Sequence, residues 1–328
     1  MFLKEVEKIF LENRDFIIHE LLTRYGPLSN YKILGEFENY IIECLTETES
    51  FIIRLVHSSH RLTNLITAEL DWMLYLSKNA KSFSIPKLRL SNAGKEIEVI
   101  QLENSYFTVV GFEKAKGNHI TKEIWDKNLF ERWGQSVGEL HKLTKRYKGN
   151  NEFKRPDWNE LTSFEDINDI LPENQKKIKL KYFDMINSFS KLPKNVDSYG
   201  LIHNDFHIWN FFINNGSIIL FDFDDCCYDW FISDVAVILF HAVQYSTNNL
   251  EIDSFAKDFL HYFFKGYSKE NILSEQSIRL LPLFLKRQEI ISYILIYRDK
   301  AFENVWCKKF LLGRQEKLEN NVSFLNLF

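Results

Sequence analysis

Residues 201–225 read LIHNDFHIWNFFINNGSIILFDFDD. Asp205 lies between His203 and His207, Asn210 follows five positions later, and Asp222 ends the second apolar run with Asp224 and Asp225 behind it. The pair Asn215-Gly216 between two apolar runs is a strong signal for a tight hairpin. Such a hairpin folds Asp222 back beside the loop that holds Asp205 and Asn210, so three oxygen-bearing side chains converge. Phosphoryl transfer needs positioning and charge neutralisation more than covalent chemistry. Asn210 and Asp222 are hard oxygen donors suited to Mg2+ bridging ATP phosphates. Asp205 is placed to accept, or at least orient, the proton of an attacking hydroxyl. The plainer reading is a hairpin with acids facing solvent, and it accounts for Asp225 and Asp229. It does not account for Asp205, Asn210 and Asp222, which sit in apolar strings where a carboxylate requires a partner or a metal.

The elements that must position these groups are readable upstream. Residues 2–22 show apolar positions at helical intervals and end at Gly26-Pro27. Residues 31–45 and 51–57 read as two strands joined by the polar turn TETES. Ser58 or Ser59 is positioned to cap a helix running to about residue 77, with Leu62, Leu65, Ile66, Met73 and Leu76 as its apolar stripe. Residues 84–110 return to strand character, and 111–117 (GFEKAKG) read as a linker. Thr121 then caps a long helix carrying Trp125, Leu129, Trp133, Val137 and Leu140 on one face. A charged stretch spans 145–158 and a helix covers 173–191. Beyond the hairpin, helices are expected at about 233–246, 252–265, 275–298 and 300–320. The fold class is α+β, with a small antiparallel sheet followed by a mostly helical half.

Composition narrows the partners. With 328 residues, two lobes are the natural organisation. A net charge of −4 with no basic block disfavours nucleic acid as the main ligand. No apolar run reaches the length of a membrane span, and the acid-bearing N-terminus is not a signal peptide. Cys44, Cys226, Cys227 and Cys307 lack metal-ligand spacing and read as reduced thiols of a cytoplasmic protein. Cys226 and Cys227 lie beside the site, where oxidation would inhibit.

HNDFHIWN resembles the catalytic loop, and LFDFDD the metal-binding segment, of the aminoglycoside phosphotransferase and choline kinase-like family, relatives of protein kinases. That family includes type II homoserine kinases and a stress-response protein kinase. The resemblance runs from about residue 31 to 245. It implies a two-lobed protein kinase-like fold, with an N-lobe over 1–110, a hinge over 111–116 and a helical C-lobe over 117–328. It also implies Asp205 as catalytic aspartate, with Asn210 and Asp222 holding the metal. Asp234 matches a family aspartate that braces the catalytic loop; as a helix N-terminal acid beside Ser233 it has an equally simple explanation. His203 is read as a loop brace, His141 as a packing histidine, and His207 stays open. Asp224, pointing with Asp222 if the strand continues, is a candidate for a second metal or a substrate amine.

Departures from the family pattern matter. Asn204 stands where many relatives have Gly or Arg, although choline kinases also carry HND. LGEFENY has a single glycine, Gly35, so the phosphate-cradling loop is placed at residues 35–40, or Gly35 marks only a bulge. The usual strand lysine is replaced by Arg54, whose planar fork can grip phosphate oxygens. A lone strand arginine is ordinarily a surface residue. Glu69 shares the helical stripe of Ile66 and Met73, and a carboxylate on a buried face requires a cation. Arg54 with Glu69 would reproduce the strand-cation and helix-carboxylate pair of kinases; the alternative leaves Glu69 solvated at the stripe edge. Adenine is expected against backbone groups near Val110 and Phe112, with Ile33, Ile53 and Phe221 as candidate lining. Arg287, Glu289, Tyr293 and Arg298 either contact the acceptor or pair with one another.

The resulting expectation is ATP- and Mg2+-dependent phosphorylation of a hydroxyl on a small molecule: an amino alcohol, an amino acid or an aminoglycoside-like compound. The rivals are a protein Ser/Thr kinase of the stress-response type and a non-catalytic binding or coat protein on the same fold. The short stretch between Asp222 and Asp234 favours small substrates, and the triad Asp205, Asn210, Asp222 argues against silence.

Overall fold

Strand alternation sets the first lobe. In β3 (Ser50–His57), Phe51, Ile53 and Leu55 point one way and Ile52, Arg54 and Val56 the other, as the two-residue period requires. The first set packs on two helices, α1 (Phe2–Glu12) and α2 (Arg14–Tyr25), through Val6, Phe10, Ile17, Leu21 and Tyr25. The second set faces the interior between the lobes. The chain is described here from a computed structural model covering residues 2–35, 38–149, 152–161, 164, 166–246 and 251–327.

The strands β1 (Asn30–Gly35), β2 (Tyr40–Leu45) and β3 form an antiparallel meander, continued by α3 (Thr63–Asn79). After β4 (Phe83–Ser84) come β5 (Leu88–Arg89), β6 (Ile97–Gln101) and β7 (Tyr106–Glu113). The sheet order is β1-β2-β3-β7-β5, with β6 also pairing β7. Three sequence expectations change here. The helix expected over 2–22 is two helices, because Asn13 turns its Nδ2 onto Ile9 O at 2.8 Å and the helix restarts at Arg14. The strand expected over 31–45 is two, β1 and β2, paired with each other. Neither Ser58 nor Ser59 caps α3; Leu62 holds that position, half-exposed, and Ser59 Oγ bonds His57 Nδ1 at 2.5 Å instead.

The second lobe is helical. It contains α4 (Lys127–Thr144), α5 (Trp158–Leu161), α6 (Ile167–Ile170) and α7 (Lys176–Phe189), then four short strands, β8 (Tyr199–Ile202), β9 (Phe211–Asn214), β10 (Ser217–Leu220) and β11 (Cys227–Trp230). The chain closes with α8 (Phe231–Tyr245), α9 (Ile252–Tyr267), α10 (Glu275–Arg279), α11 (Leu281–Arg298), α12 (Val305–Leu311) and α13 (Arg314–Glu319). Thr121 starts only a short 3-10 turn. Asp126 caps α4, accepting from the amides of Asn128 and Leu129 at 2.9 Å each. Trp125 therefore precedes the helix and packs on Phe130 and Trp133 from outside it. The runs expected as single helices at 275–298 and 300–320 each break in two, at Leu280 and at Gly313, whose φ is +65°.

Two features fix the floor on which the site rests. α8 is buried on nearly every side, which suits its all-round apolar sequence. α4 and α9 touch backbone to backbone: a Cβ on Gly134 would lie 1.9 Å from Phe263 O, and one on Gly266 1.7 Å from Glu131 O. Among the described residues, no helix is long and apolar enough to cross a membrane.

Candidate active site

The hairpin forms as its sequence requires. Asn215 and Gly216 take φ of 49° and 82° at the turn, and β9 and β10 pair from Ser217↔Asn214 to Leu220↔Phe211. The pairing extends one step further, with Phe221 N donating to Asn210 O at 3.0 Å. Asp222 thus sits next to a residue hydrogen-bonded to Asn210. Asn210 Nδ2 donates to Asp205 Oδ2 at 2.6 Å and to Asp205 O at 2.9 Å. The amide nitrogen is committed to Asp205, which leaves the Asn210 carbonyl oxygen for a ligand.

The loop between β8 and β9 is held from beneath. Asn204 adopts φ +65°, a region that favours Asn among non-glycine residues. Asp234, fully buried in the first turn of α8, accepts from Asn204 N at 2.7 Å, from His203 N at 3.2 Å and from His141 Nε2 at 3.1 Å. Both readings of Asp234 therefore hold together: it is a helix N-terminal acid and it braces the loop. His141 Nδ1 in turn meets Tyr267 OH at 2.8 Å. His203 Nδ1 accepts from Asp205 N at 3.3 Å, so Nε2 carries the proton and donates to Phe221 O at 3.2 Å. Burial holds the His203 ring down to about 4, which keeps it neutral and suits bracing rather than proton transfer. His207 Nε2 lies 3.5 Å from Asp205 Oδ1, and its ring meets that of His241 edge-on at 4.7 Å.

Crowded carboxylates shape the electrostatics. Burial, then repulsion from Asp225 and Asp222, pushes the Asp205 carboxyl well above its usual range, with the Asn210 hydrogen bond opposing. The Asp222 side chain opens onto the cavity, yet the protein enclosing it and then Asp224 push its carboxyl up to about 7. Asp222 also holds φ +62°. That backbone turn ends the strand at Leu220, so Asp224 does not extend a strand alongside Asp222 as expected. Instead Asp224 Oδ2 takes His60 Nε2 at 2.7 Å and Arg61 Nε at 3.3 Å. Burial opposes its ionisation, but Arg61 and His60 outweigh burial and hold this carboxyl well below its usual range. Its Oδ1 has no hydrogen-bond partner among the described residues. Asp225, read as solvated, is half-exposed and pairs with Arg61 at 2.5 Å. Asp229 corrects the same reading: it is buried and bonded to Arg287 at 3.2 Å.

Opposite the hairpin, Arg54 and Glu69 meet as a buried bidentate pair, with contacts of 2.8 and 2.9 Å. The solvated alternative for Glu69 is thereby excluded. Arg54 Nε remains a buried donor without a partner among the described residues.

Between the two sides lies a cavity of about 400 Å³, lined by Leu34, Gly35, Ile41, Ile52, Met73 and Phe221, with Arg54, Asn210 and Asp222 at its polar end. Ile33 and Ile53 do not line it; they belong to the packing against α1 and α2. The correction follows from the two-residue period, because Ile52 shares Arg54's face and Ile53 cannot. Gly35 lines the cavity and also follows a register irregularity after Ile33, so it is lining and bulge at once. Residues 36 and 37 of the expected phosphate loop lie outside the described residues. Val110 is a further correction. It pairs with Arg54 on one edge and Ile97 on the other and is buried away from the cavity. Phe112 lines the cavity, but β3 and β5 flank it on both edges. Glu113, Lys114 and Ala115, which also line it, stand at the end of the ladder.

A second cavity, of about 740 Å³, is polar and includes Glu38, His60, Arg61, Asn204, Asp225 and Arg298. Asn204 faces this cavity and Asn210 the first, so the loop carrying Asp205 runs from one to the other. Of the four distal residues, only Arg298 lines it. Arg287 pairs with Asp229, Glu289 with Arg314 at 2.5 Å, and Tyr293 OH with Tyr297 OH at 3.3 Å. Cys226 and Cys227 are buried, and burial pushes the Cys226 thiol up to about 12 and Cys227 well above its usual range. Neither offers the exposed thiolate that the expected oxidative inhibition requires. Sequence reasoning missed His60, Arg61 and Glu38, whose partners are distant in the chain and share no local pattern with them.

The donor set fits a hard cation: a carbonyl oxygen from Asn210 and a crowded carboxylate from Asp222, both facing one cavity. An apolar slot of this size with an arginine at its inner end suits a nucleotide.

The model of the phosphotransferase enzyme family matches residues 32–272. Amicoumacin kinase of Bacillus subtilis (strain 168) is 31% identical over 325 residues, covering 97% of this chain and 95% of that protein. Among solved structures, an amicoumacin kinase in complex with AMP-PNP, Ca2+ and Ami superimposes with a TM-score of 0.91 at 28% identity, covering 99% of this chain and 98% of the other. A microcompartment-associated aminopropanol kinase shares the fold, with a TM-score of 0.74 at 20% identity over 94% of this chain and 97% of the other.

Proposed function

Because the chain belongs to the phosphotransferase enzyme family, we propose that it transfers the terminal phosphoryl group of ATP, with Mg2+, to a hydroxyl of a small molecule. The observation that carries this reading is the loop of Asp205, which joins an apolar cavity to a polar one, with Asn210 facing the first and Asn204 the second. The N-lobe is taken as residues 1–110, the hinge as 111–116 and the C-lobe as 117–328. Adenine occupies the apolar cavity between Leu34, Ile41, Ile52 and Phe221, and the backbone of residues 114–115, past the end of the ladder, meets its edge. Arg54, oriented by Glu69, grips a phosphate through its unpartnered Nε. Asn210 and Asp222 hold the cation, which neutralises phosphate charge when bound. Asp205 orients the acceptor hydroxyl and receives its proton as the new P–O bond forms. The acceptor lies in the polar cavity. β11 begins five residues after Asp222 and α8 follows at once, which leaves no length for a protein-substrate activation segment.

Amicoumacin is the first acceptor to test, given the likeness of this chain to amicoumacin kinases over nearly its whole length. Mg2+-ATP should give ADP release that rises when amicoumacin is added, with aminopropanol and spectinomycin as weaker or silent comparators. Absence of both acceptor-dependent ADP release and a thermal shift with Mg2+-ATP would end this reading.

The cation affinity should also depend on pH. The Asp222 carboxyl is pushed up to about 7, so below that pH a proton competes with the metal. The Mg2+ half-saturation of nucleotide binding should improve by up to about tenfold between about pH 6 and pH 7 and level off above. A profile that is flat across this window contradicts Asp222 as a ligand.

A further inference from the structure

We infer that Arg155 is a positioning residue that sets the metal-binding segment against the helix of the Arg54–Glu69 pair. Arg155 comes from the charged stretch 145–158. It is 2% exposed, yet among the described residues it has no carboxylate partner. Its guanidinium is satisfied by backbone carbonyls instead. Nε donates to Cys226 O at 2.8 Å, one terminal nitrogen to Leu65 O at 3.0 Å and the other to Asp224 O.

These acceptors belong to two different parts of the proposed machinery. Leu65 lies on α3, one helical turn before Glu69. Asp224 and Cys226 follow Asp222 by two and four residues. The planar fork therefore ties the helix that orients Arg54 to the segment that carries a metal ligand. Its own backbone is anchored: Tyr228 N donates to the adjacent Pro156 O at 2.9 Å, and Asp157 bridges to Tyr228.

A buried cation without a counter-charge is unfavourable, and an apolar side chain would fill this space without that cost. What the apolar side chain lacks is direction: three carbonyls at fixed angles. Asp222 needs such external constraint, because a non-glycine residue at φ +62° persists only where its surroundings over-determine it. Groups that orient metal ligands from outside typically change metal affinity by about 10–100-fold when removed.

This inference rests on Asp222 as a ligand in the proposed phosphotransfer. The test is the ratio of AMP-PNP dissociation constants measured without and with saturating Mg2+, by calorimetry, in wild type, Arg155→Met and Arg155→Lys. Wild type should bind more tightly with Mg2+, and Arg155→Met should lose about tenfold or more of that gain. Arg155→Lys keeps the charge but not the fork, and should lose a substantial part of it. If Arg155→Met does not fold, Arg155→Lys decides. A lowered melting temperature with an unchanged ratio would overturn the inference, because packing alone does not act on the metal. If wild type itself shows no Mg2+-dependent affinity, the phosphotransfer reading falls and takes this inference with it. A normal wild type with normal variants removes this inference alone.

Discussion

Asp205→Ala should lower kcat by about a thousandfold while leaving the AMP-PNP dissociation constant within about threefold of wild type. Among the described residues, the side chain is hydrogen-bonded from the loop side, by Asn210 Nδ2, and its second oxygen faces His207 at 3.5 Å. It does not line the apolar cavity, and Asn210, which does, keeps its second hydrogen bond to Asp205 O at 2.9 Å in the variant. Asp222 is one of the charges that oppose ionisation of Asp205, so the variant relieves this crowding, and metal and nucleotide binding should change little. Steady-state kinetics with the acceptor, paired with calorimetry, separate the two effects. A large loss of nucleotide affinity with little change in kcat would reassign Asp205 to ligand binding. Retention of full turnover would remove it from the chemistry altogether.

The second large effect concerns stability as well as activity. Arg54→Met leaves Glu69 fully buried without its counter-charge, which should cost about 3–5 kcal/mol in chemical denaturation. The double variant Arg54→Met with Glu69→Met replaces both charges with apolar volume and should recover most of that stability. ATP affinity should stay weak in both, because the phosphate-gripping fork is missing from each. This separation tests whether the pair serves the ligand or only the fold. If the double variant regained ATP affinity along with stability, Arg54 would be a structural ion pair and the phosphate contact would lie elsewhere.

The parts of the site legible in the sequence share one property: each follows from a local period joined to a burial rule. Asn215-Gly216 sets the hairpin, and the hairpin's length returns Asp222 to Asn210. Glu69 on an apolar helical stripe requires a cation, and Arg54 was the cation on the facing strand. The same alternation puts Ile52 in the cavity and Ile53 on the face packed against α1 and α2. Element ends were less legible. Asn13 and Asp126 settle theirs through side-chain hydrogen bonds to the backbone that periodicity does not register. The latch of His60 and Arg61 on Asp224 and Asp225 joins groups 164 residues apart. Arg155 reaches three carbonyls, which carry no residue-type signal at all. Such partners become visible only once the chain has folded.

The contact of α4 with α9 has a consequence for building new specificities. Gly134 and Gly266 let the two backbones touch, and that closeness brings Tyr267 OH to His141, which holds Asp234, which holds the amides of His203 and Asn204. The second, polar cavity takes its helical wall from α11 through Ile291, Leu295 and Arg298, outside that chain of contacts. Recombination between relatives therefore has a natural cut. Segment 275–300 can be exchanged only together with Asp229 and Arg314, the buried partners of Arg287 and Glu289, whereas Lys127–Thr144 and Ile252–Tyr267 must be inherited from one parent, since a mismatched pair would tilt the loop of Asp205 from more than a helix away.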